Sequence, residues 1–470
     1  MALYRPQWLY ANKFRLFLTL VLFTIVVVYL GRPKLSLFFS ELELPSVEEL
    51  RNDSTPLRWK PCGGAFINGS NVVDREGNEP HRKMLLSVTA KDADVDDVLK
   101  ALHALQVTCQ SRPLVETEKL GKTFAKFLIA LKNYTVFHAL ERKKPSAKRL
   151  LWVCKNGCGG IADRMKGIAF ALMLAMFSRR VLHLDWGPQQ GLSELAFLEP
   201  NAIDWHLMQE EREKAYLQDN HHFYTKSSSI NGVAKNLRKL LEATKKESLQ
   251  WVAVNTNLSP STLANTVGYE WINNGMASLS LNNVHDLNIN LIGLAFRYLF
   301  KFSSYLLQEV RAARRVLGLE HTRYVGLHVR TGFEGWEQHP NVYTKPRQWS
   351  ESISCAYRYA TQHFGNEVPI FLATDSKQVK GMVGPEYRGQ IRCLDNVVLH
   401  VGKLKKLHSK TKAQVKESLF SVWVELILLA ESHSLVRGVS GYAFLAECLC
   451  FMPKERTVRA LTCTSSYERK

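Results

Sequence analysis

The amino-acid sequence predicts an α/β protein built from two halves, each a parallel sheet with helices. The chain has 470 residues, more than a single hydrophobic core accommodates. Its 46% hydrophobic and 22% charged residues are typical of a globular protein. In two separate stretches, short apolar runs alternate with segments of helical apolar spacing, and this order is typical of βαβ units. We therefore expect two compact domains with additional segments outside them.

The first stretch begins near residue 149. Its predicted elements are strands at Arg149–Cys154, Val181–Asp185 and Trp251–Asn255 and a helix at Ile161–Phe177. Helical spacing at Leu291–Leu317 predicts a connection between the halves. The second stretch has predicted strands at Tyr324–Arg330, Ile370–Thr374, Asn396–Val401 and Leu435–Val439, and predicted helices at Arg347–His363, Ala413–Glu431 and Tyr442–Phe451. Two segments before residue 149 also have helical spacing, Val95–Leu105 and Leu120–Leu131.

The N-terminus contains a candidate membrane anchor. Residues Leu16 to Leu30 are mostly apolar and have basic residues on both sides. This run is short for a membrane helix, which needs about 20 residues. A cleaved signal peptide is the alternative, but no small-x-small cleavage motif follows Leu30. Because Lys13 and Arg15 favour a cytoplasmic N-terminus, we expect a cytoplasmic tail over 1–15, an uncleaved anchor over 16–31 and a lumenal body.

The rest of the chain divides into three expected regions. Residues 32–147 are expected to form a stem and an accessory region, residues 148–300 the first domain and residues 301–470 the second. Glycosylation sequons agree with a lumenal body and lie at Asn52, Asn68, Asn133 and Asn257. Nine cysteines are compatible with several disulfides and one unpaired thiol. Their spacing fits no zinc site, so we expect no metal.

The chain is strongly basic, with a formal net charge of +19. This charge favours an anionic partner. Nucleic acid, acidic lipid, sulfated glycan and nucleotide diphosphate all satisfy that condition, so the charge does not choose among them.

A glycine-rich loop precedes the predicted helix Ile161–Phe177. Residues 157–162 match the G-x-G-x-x-A pattern of dinucleotide-binding loops. Gly159 and Gly160 allow a ligand to approach the backbone closely, and the helix N-terminus attracts anions. The membrane anchor and the adjacent Arg164 argue against a nicotinamide dinucleotide. A tight turn without a ligand is the alternative.

Polar residues follow three predicted strands of the second half. In open α/β sheets, ligands bind at the carboxyl ends of strands. The first group is His328-Val329-Arg330, and the rigid fork of the Arg330 guanidinium suits phosphate oxygens. The others are Thr374-Asp375-Ser376 and Ser440-Gly441-Tyr442.

Each of these groups also fits a structural role. Asp375 either accepts hydrogen bonds from a nucleobase edge or holds a loop. Ser440 is expected to cap a helix, and the free amides after it can hold a phosphate. A plain cap without a ligand is the alternative.

Taken in order, these motifs resemble the GDP-fucose-dependent fucosyltransferase superfamily, which includes core α1,6-, nodulation-type and protein O-fucosyltransferases. The resemblance covers about residues 150–455. It implies a GT-B fold, with two Rossmann-like domains facing a cleft, and inverting, metal-independent transfer of fucose. It also implies that Arg330 binds the diphosphate, Asp375 the nucleoside, and Ser440 with Gly441 a phosphate. The predicted donor-binding set is Gly159, Gly160, Arg164, His328, Arg330, Thr374, Asp375, Ser376, Ser440, Gly441 and Tyr442.

The chain departs from the superfamily pattern in two places. Thr331 stands where the α1,6 enzymes carry a second arginine, and Phe333 stands where the family has an acidic residue. The base is therefore not assigned by the resemblance. An inverting displacement needs a proton acceptor near the incoming oxygen. The candidates are Asp163, which we favour, and Glu334; either can instead be an ion-pair partner. Arg330 completes the predicted catalytic set.

These observations predict a type II membrane fucosyltransferase of the Golgi with a lumenal catalytic body. Its expected partners are GDP-fucose as donor substrate, a glycan or glycoprotein acceptor, and the membrane; we expect no further cofactor and no nucleic acid. A lumenal sulfotransferase and a non-catalytic glycan-binding protein of the same fold are the alternatives.

Overall fold

The structure is a computed structural model. It describes residues 46–52, 57, 59–62, 114–154, 159–186, 192–217, 222–224, 230–246, 248–267, 284–332, 346–383, 387, 389–396 and 412–460. Within these ranges no helix is both long enough and apolar enough to cross a bilayer. The predicted anchor, the segment Val95–Leu105 and Glu334 lie outside them.

Among the described residues, two helices precede the sheets, α1 (Val47–Asn52) and α2 (Leu114–Glu141). The first sheet region follows. Its elements are β1 (Arg149–Val153), α3 (Ile161–Ser178), β2 (Val181–Asp185), α4 (Leu192–Phe197), β3 (Leu198–Pro200), α5 (Gln209–Leu217), β4 (His222–Tyr224), α6 (Ile230–Lys245), β5 (Trp251–Asn255) and α7 (Pro260–Val267).

The connecting elements are α8 (Val284–Leu299), β6 (Phe300–Phe302) and α9 (Ser304–Val316). The second sheet region contains β7 (Val325–Val329), α10 (Pro346–Phe364), β8 (Ile370–Thr374), α11 (Lys377–Gly381), β9 (Ile391–Arg392), α12 (Lys412–Glu431), β10 (Ser434–Arg437), α13 (Gly441–Leu449), a 3₁₀ helix (Lys454–Arg456) and β11 (Thr457–Arg459).

Two parallel sheets form the framework. The first has the strand order β2-β1-β5-β4 and the second the order β11-β10-β7-β8-β9, and every pairing within them is parallel. The strands β1, β2, β7 and β8 are buried along their whole length. This burial explains why they are mostly apolar, although β2 includes His183 and Asp185 and β7 includes His328. The predicted α/β class with two parallel sheets is confirmed.

The helices of the two regions share one hydrophobic core. This core contains residues of α3, α8, α12 and α13 together with residues from both sheets. Close packing is visible at Gly167 of α3, where an added Cβ would lie 1.9 Å from the carbonyl oxygen of Thr256. At Gly293 of α8, it would lie 2.2 Å from the carbonyl oxygen of Cys448. Only glycine fits at these two contacts, where α3 meets the end of β5 and α8 meets α13.

The predicted connection Leu291–Leu317 is not one helix. It consists of the end of α8, the short strand β6 and α9. Strand β6 pairs antiparallel with β3, and Ser303 then caps α9 by accepting a hydrogen bond from the amide of Leu306. The apolar spacing continues through this break because β6 and both helices border the same core.

The segments that precede the first sheet pack against the body. The Tyr134 hydroxyl of α2 donates to the carbonyl oxygen of Arg180 and accepts from the amide of Leu182, at the edge strand β2. The indole of Trp59 donates to Glu309 of α9 at 2.7 Å. A disulfide joins Cys62 to Cys393. These contacts attach parts of the predicted stem and accessory region to both sheet regions.

Five of the described cysteines are disulfide-bonded and one is free. Besides Cys62 and Cys393, three others are disulfide-bonded, Cys154, Cys355 and Cys450. Cys448 is a buried free thiol. Of the sequon asparagines, Asn133 is exposed on α2, whereas Asn68 lies outside the described residues.

Candidate active site

The carboxyl ends of three adjacent strands define the candidate site. In the second sheet, β7 lies between β10 and β8. His328 of β7 is in register with Arg437 of β10, and Val329 with Thr374 of β8. The residues that follow these strands therefore meet at one sheet edge. The three polar groups predicted to follow strands of the second half, His328–Arg330, Thr374–Ser376 and Ser440–Tyr442, all lie at this edge.

Asp375 holds the turn that follows β7. Its Oδ1 accepts hydrogen bonds from the amide of Thr331 at 2.8 Å and from the Thr331 hydroxyl at 3.0 Å. Its Oδ2 accepts from the amide of Gly332 at 3.0 Å and lies 2.8 Å from Nη1 of Arg330. The side chain is 11% exposed. A carboxylate has about four lone-pair positions, and these four donors occupy them. These contacts support the second of its two predicted roles, holding a loop, and nucleoside binding by Asp375 stays a prediction.

Arg330 is positioned by that carboxylate and still reaches solvent. Its side chain is 21% exposed, and a guanidinium has five N–H donors in a planar fork. Because the ion pair with Asp375 restricts the orientation of the fork, a diphosphate would meet a preorganised donor group. Arg330 as the diphosphate ligand stays a prediction that this geometry supports.

Three members of the predicted donor-binding set are interior residues. His328 is 5% exposed, and burial lowers its pKa to about 3, so the imidazole is neutral at physiological pH. The Thr374 hydroxyl accepts from the amide of Ser376, and the Ser376 hydroxyl caps α11 by accepting from the amide of Val379. Thr374 and Ser376 are buried to 3% and 1% exposure. These contacts give Thr374 and Ser376 structural roles at the strand end, and their place in the donor-binding set stays a prediction.

The turn from β10 into α13 is anchored by a buried ion pair. Arg437 contacts Glu447 with two nitrogens, one of them Nη2 at 3.0 Å from Oε2. Ser440 is the N-cap of α13, but its side chain makes no capping hydrogen bond, and Gly441 is exposed. The first amides of a helix have no partner within the helix. Exposed amides at this positive helix end can therefore bind an anionic oxygen, as the sequence predicts for Ser440 and Gly441.

The N-terminus of α3 meets the N-terminus of α13. A Cβ at Gly441 would lie 3.3 Å from the Cβ of Ala162. Gly160 is the N-cap of α3, and Gly159 has φ +79°, a conformation that favours glycine. The two helix N-termini thus lie side by side and attract anions, and α13 follows β10, the strand next to the one that Arg330 follows. The Tyr442 ring lies 5.5 Å from the ring of His328.

Asp163 and Arg164 are adjacent in sequence, but the Asp163 side chain is partly exposed and the Arg164 side chain is fully buried. The Asp163 carboxylate lies in the first turn of α3, is 38% exposed and pairs with Lys166 at 2.7 Å. The Arg164 side chain is fully buried, with Nη1 bonded to Glu194 at 2.5 Å and Nε donating to the Gly159 carbonyl oxygen at 3.3 Å. Arg164 therefore braces the glycine loop from inside. The expectation that it contacts the donor is not supported by this geometry.

A buried polar cluster around Lys380 and Glu425 lies behind Asp375. None of its residues was predicted from the sequence as a site residue. Lys380 of α11 donates to the carbonyl oxygens of Leu394 and Asn396 at 2.6 and 2.7 Å, and its Nζ lies 3.6 Å from Glu425 of α12. Burial raises the pKa of Glu425 to about 7 despite the neighbouring ammonium. The cluster ties α11 and α12 to the segment after β9. The one signal for Glu425 was a carboxylate in the apolar helix Ala413–Glu431.

The described residues contain no group of three or more histidine, cysteine or acidic side chains arranged to hold a metal ion.

No protein-family model matches the sequence, and no curated protein matches it. Among solved structures, a mutant of FUT1 from Arabidopsis thaliana in complex with GDP is similar at 13% identity and a TM-score of 0.48, over 70% of this chain and 80% of that one. The α-1,6-fucosyltransferase NodZ from Bradyrhizobium, solved after soaking with GDP-fucose and also co-crystallised with GDP, is similar at 16% identity and a TM-score of 0.41, over 64% of this chain and 92% of that one. These structures include fucosyltransferases, the class that the sequence motifs resemble.

Proposed function

We propose that this protein is a glycosyltransferase that transfers fucose from GDP-fucose to a glycan or glycoprotein acceptor with inversion. The observation that supports this most directly is the Arg330–Asp375 pair at the carboxyl end of β7, next to the converging N-termini of α3 and α13. Such a site is suited to a diphosphate, and the order of motifs along the chain resembles enzymes that use this donor.

The proposed reaction is a single displacement at C1 of fucose. The acceptor hydroxyl oxygen forms a bond to C1 while the bond from C1 to the GDP oxygen breaks, and GDP leaves with that electron pair. The hydroxyl proton passes to a carboxylate base. Arg330 and the helix amides stabilise the negative charge that develops on the leaving diphosphate.

The function is tested with the full chain by measuring GDP binding and GDP-fucose turnover together. We expect GDP to bind and GDP-fucose to be consumed, by transfer when an acceptor is present. A lumenal sulfotransferase would instead turn over a phosphosulfate donor without binding GDP. Binding of GDP or glycan without any turnover would indicate the non-catalytic alternative.

The base is tested by Asp163→Asn. Asp163 lies in the first turn of α3 with a partly exposed carboxylate, and a positioned base contributes about 10²–10⁴-fold. We expect kcat to fall by about that factor while calorimetry shows nearly unchanged GDP affinity.

Lys166→Gln is the matched control, because it breaks the same ion pair and keeps the carboxylate. If Lys166→Gln lowers kcat as much as Asp163→Asn, the aspartate acts through the ion pair. If Glu334→Gln removes turnover and Asp163→Asn does not, the base is Glu334.

Metal removal should leave the activity intact. Arg330 and the two helix N-termini supply positive charge at the proposed diphosphate position, so no divalent cation is expected to be needed. The measurement is the turnover of GDP-fucose with and without EDTA. Loss of activity in EDTA with recovery on adding manganese contradicts this expectation.

We also propose a cellular location for the protein. The apolar run over residues 16–31, the sequons and the disulfides support a type II membrane protein of the Golgi with its catalytic body in the lumen.

A further inference from the structure

A cavity of about 520 Å³ lies at the opposite end of the second sheet from the candidate active site. Its walls include residues that come directly before three parallel strands: Arg323 and Tyr324 before β7, His433 before β10 and Arg456 before β11. Arg311 and Arg314 of α9 and Glu431 of α12 form another side. A five-residue strand spans about 16 Å, so this cavity is separate from the site at the carboxyl ends.

The lining is rich in guanidinium groups. Four arginines and two histidines line the cavity together with two glutamates: Arg311, Arg314, Arg323, Arg456, His321, His433, Glu320 and Glu431. Both glutamates have arginine partners. Glu431 accepts from Nε of Arg314 at 2.8 Å, and Glu320 lies 3.5 Å from Nε of Arg315. With neutral histidines, the lining still carries a net positive charge.

The pKa of His433, which lines the cavity, is affected by this positive charge. Burial, followed by the charges of Arg456 and Arg323, lowers the pKa of His433 to about 4. Its Nδ1 lies 3.0 Å from the Ser434 hydroxyl oxygen. The imidazole is therefore neutral at physiological pH, and a bound anion would be attracted by the guanidinium groups.

We propose that this cavity binds a small ligand carrying two or more phosphate or sulfate groups. Its volume lies within the range of small-molecule sites, about 300–1,000 Å³. Arginine forks match the geometry of tetrahedral oxyanions. Arg311 and Arg323 are exposed on the rim, where they can close over a ligand. This second anion site is independent of fucose transfer, since it faces the other end of the sheet.

The test uses the full chain with saturating GDP, so that the proposed donor site is occupied. Pyrophosphate is titrated into the protein by calorimetry at low ionic strength. We expect one saturable site, at least tenfold weaker in the double variant Arg311→Gln and Arg323→Gln. Both residues are exposed, and an unchanged thermal midpoint verifies that the variant is folded. Arg238→Gln, which removes one exposed arginine from α6, should bind pyrophosphate as the unmodified protein does.

A disulfated disaccharide should compete with pyrophosphate, and the tighter of the two distinguishes a sulfate-bearing from a phosphate-bearing ligand. The proposal is overturned if pyrophosphate does not bind the GDP-saturated protein, or if the double variant binds it equally well. Equal weakening by Arg238→Gln also overturns it, because that result would reflect overall charge. GDP binding and fucose transfer are measured separately, so failure of either proposal leaves the other testable.

Discussion

Replacing Arg330 by alanine should weaken GDP binding by about 10²–10⁴-fold and reduce fucose transfer to background, because the guanidinium is the cation positioned at the end of β7. Hydrogen bonds involving a charged group contribute about 1.5–3 kcal/mol each, and the fork can make two of them to a diphosphate. The fold should survive, since Asp375 retains three donors from Thr331 and Gly332. The measurement is calorimetry with GDP on protein verified as folded.

Arg330→Lys is the control that separates charge from geometry. It keeps the positive charge but loses the planar fork, so its GDP affinity should lie between those of Arg330→Ala and the unmodified protein. An unchanged GDP affinity in folded Arg330→Ala would show that the diphosphate binds elsewhere.

Replacing Asp375 by alanine should reduce both stability and GDP binding. The substitution removes the Asp375 oxygens that accept from two backbone amides and the Thr331 hydroxyl, and it removes the ion pair between Asp375 and Arg330. Leaving a buried hydrogen-bond donor without its acceptor costs about 1–3 kcal/mol. We expect a loss of that order in the free energy of unfolding, measured in urea, together with weaker GDP binding because Arg330 loses the Asp375 contact that orients it.

Two further variants make this test specific. Asp375→Asn keeps one oxygen acceptor and should be intermediate, whereas Asp395→Ala removes an exposed carboxylate beyond β9 and should change stability little. If Asp375→Ala loses GDP affinity at unchanged stability, the carboxylate binds the nucleoside as the family resemblance implies. The ratio of the two effects therefore decides between the two roles.

Long apolar elements were predictable from the sequence. Val181–Asp185, Trp251–Asn255 and Ile370–Thr374 have the predicted bounds, because strands covered on both faces of a parallel sheet are continuous apolar runs. Helix α3 begins at the predicted Ile161 and extends one residue further, to Ser178. Strand β10 ends earlier than predicted, at Arg437, where the ion pair with Glu447 begins the turn into α13.

Short strands were not predictable from local pattern. Strand β9 has two residues and β11 has three, and neither is long enough to show a periodicity of its own. They are strands because β8 and β10 offer an edge with which they pair. The predicted strand Asn396–Val401 falls mostly outside the described residues.

For the candidate site, sequence alone determined which chemical groups lie at the strand ends, since a buried strand delivers the residues after it to the sheet edge. The sequence correctly predicted that Arg330, Asp375 and Ser440 follow strands at one edge of the second sheet. Only the tertiary structure showed which intramolecular contacts these groups make there. Asp375 meets Thr331 across 44 positions and Arg164 meets Glu194 across 30. No local pattern encodes such pairings, because the partners become neighbours only when separate strands and helices pack together.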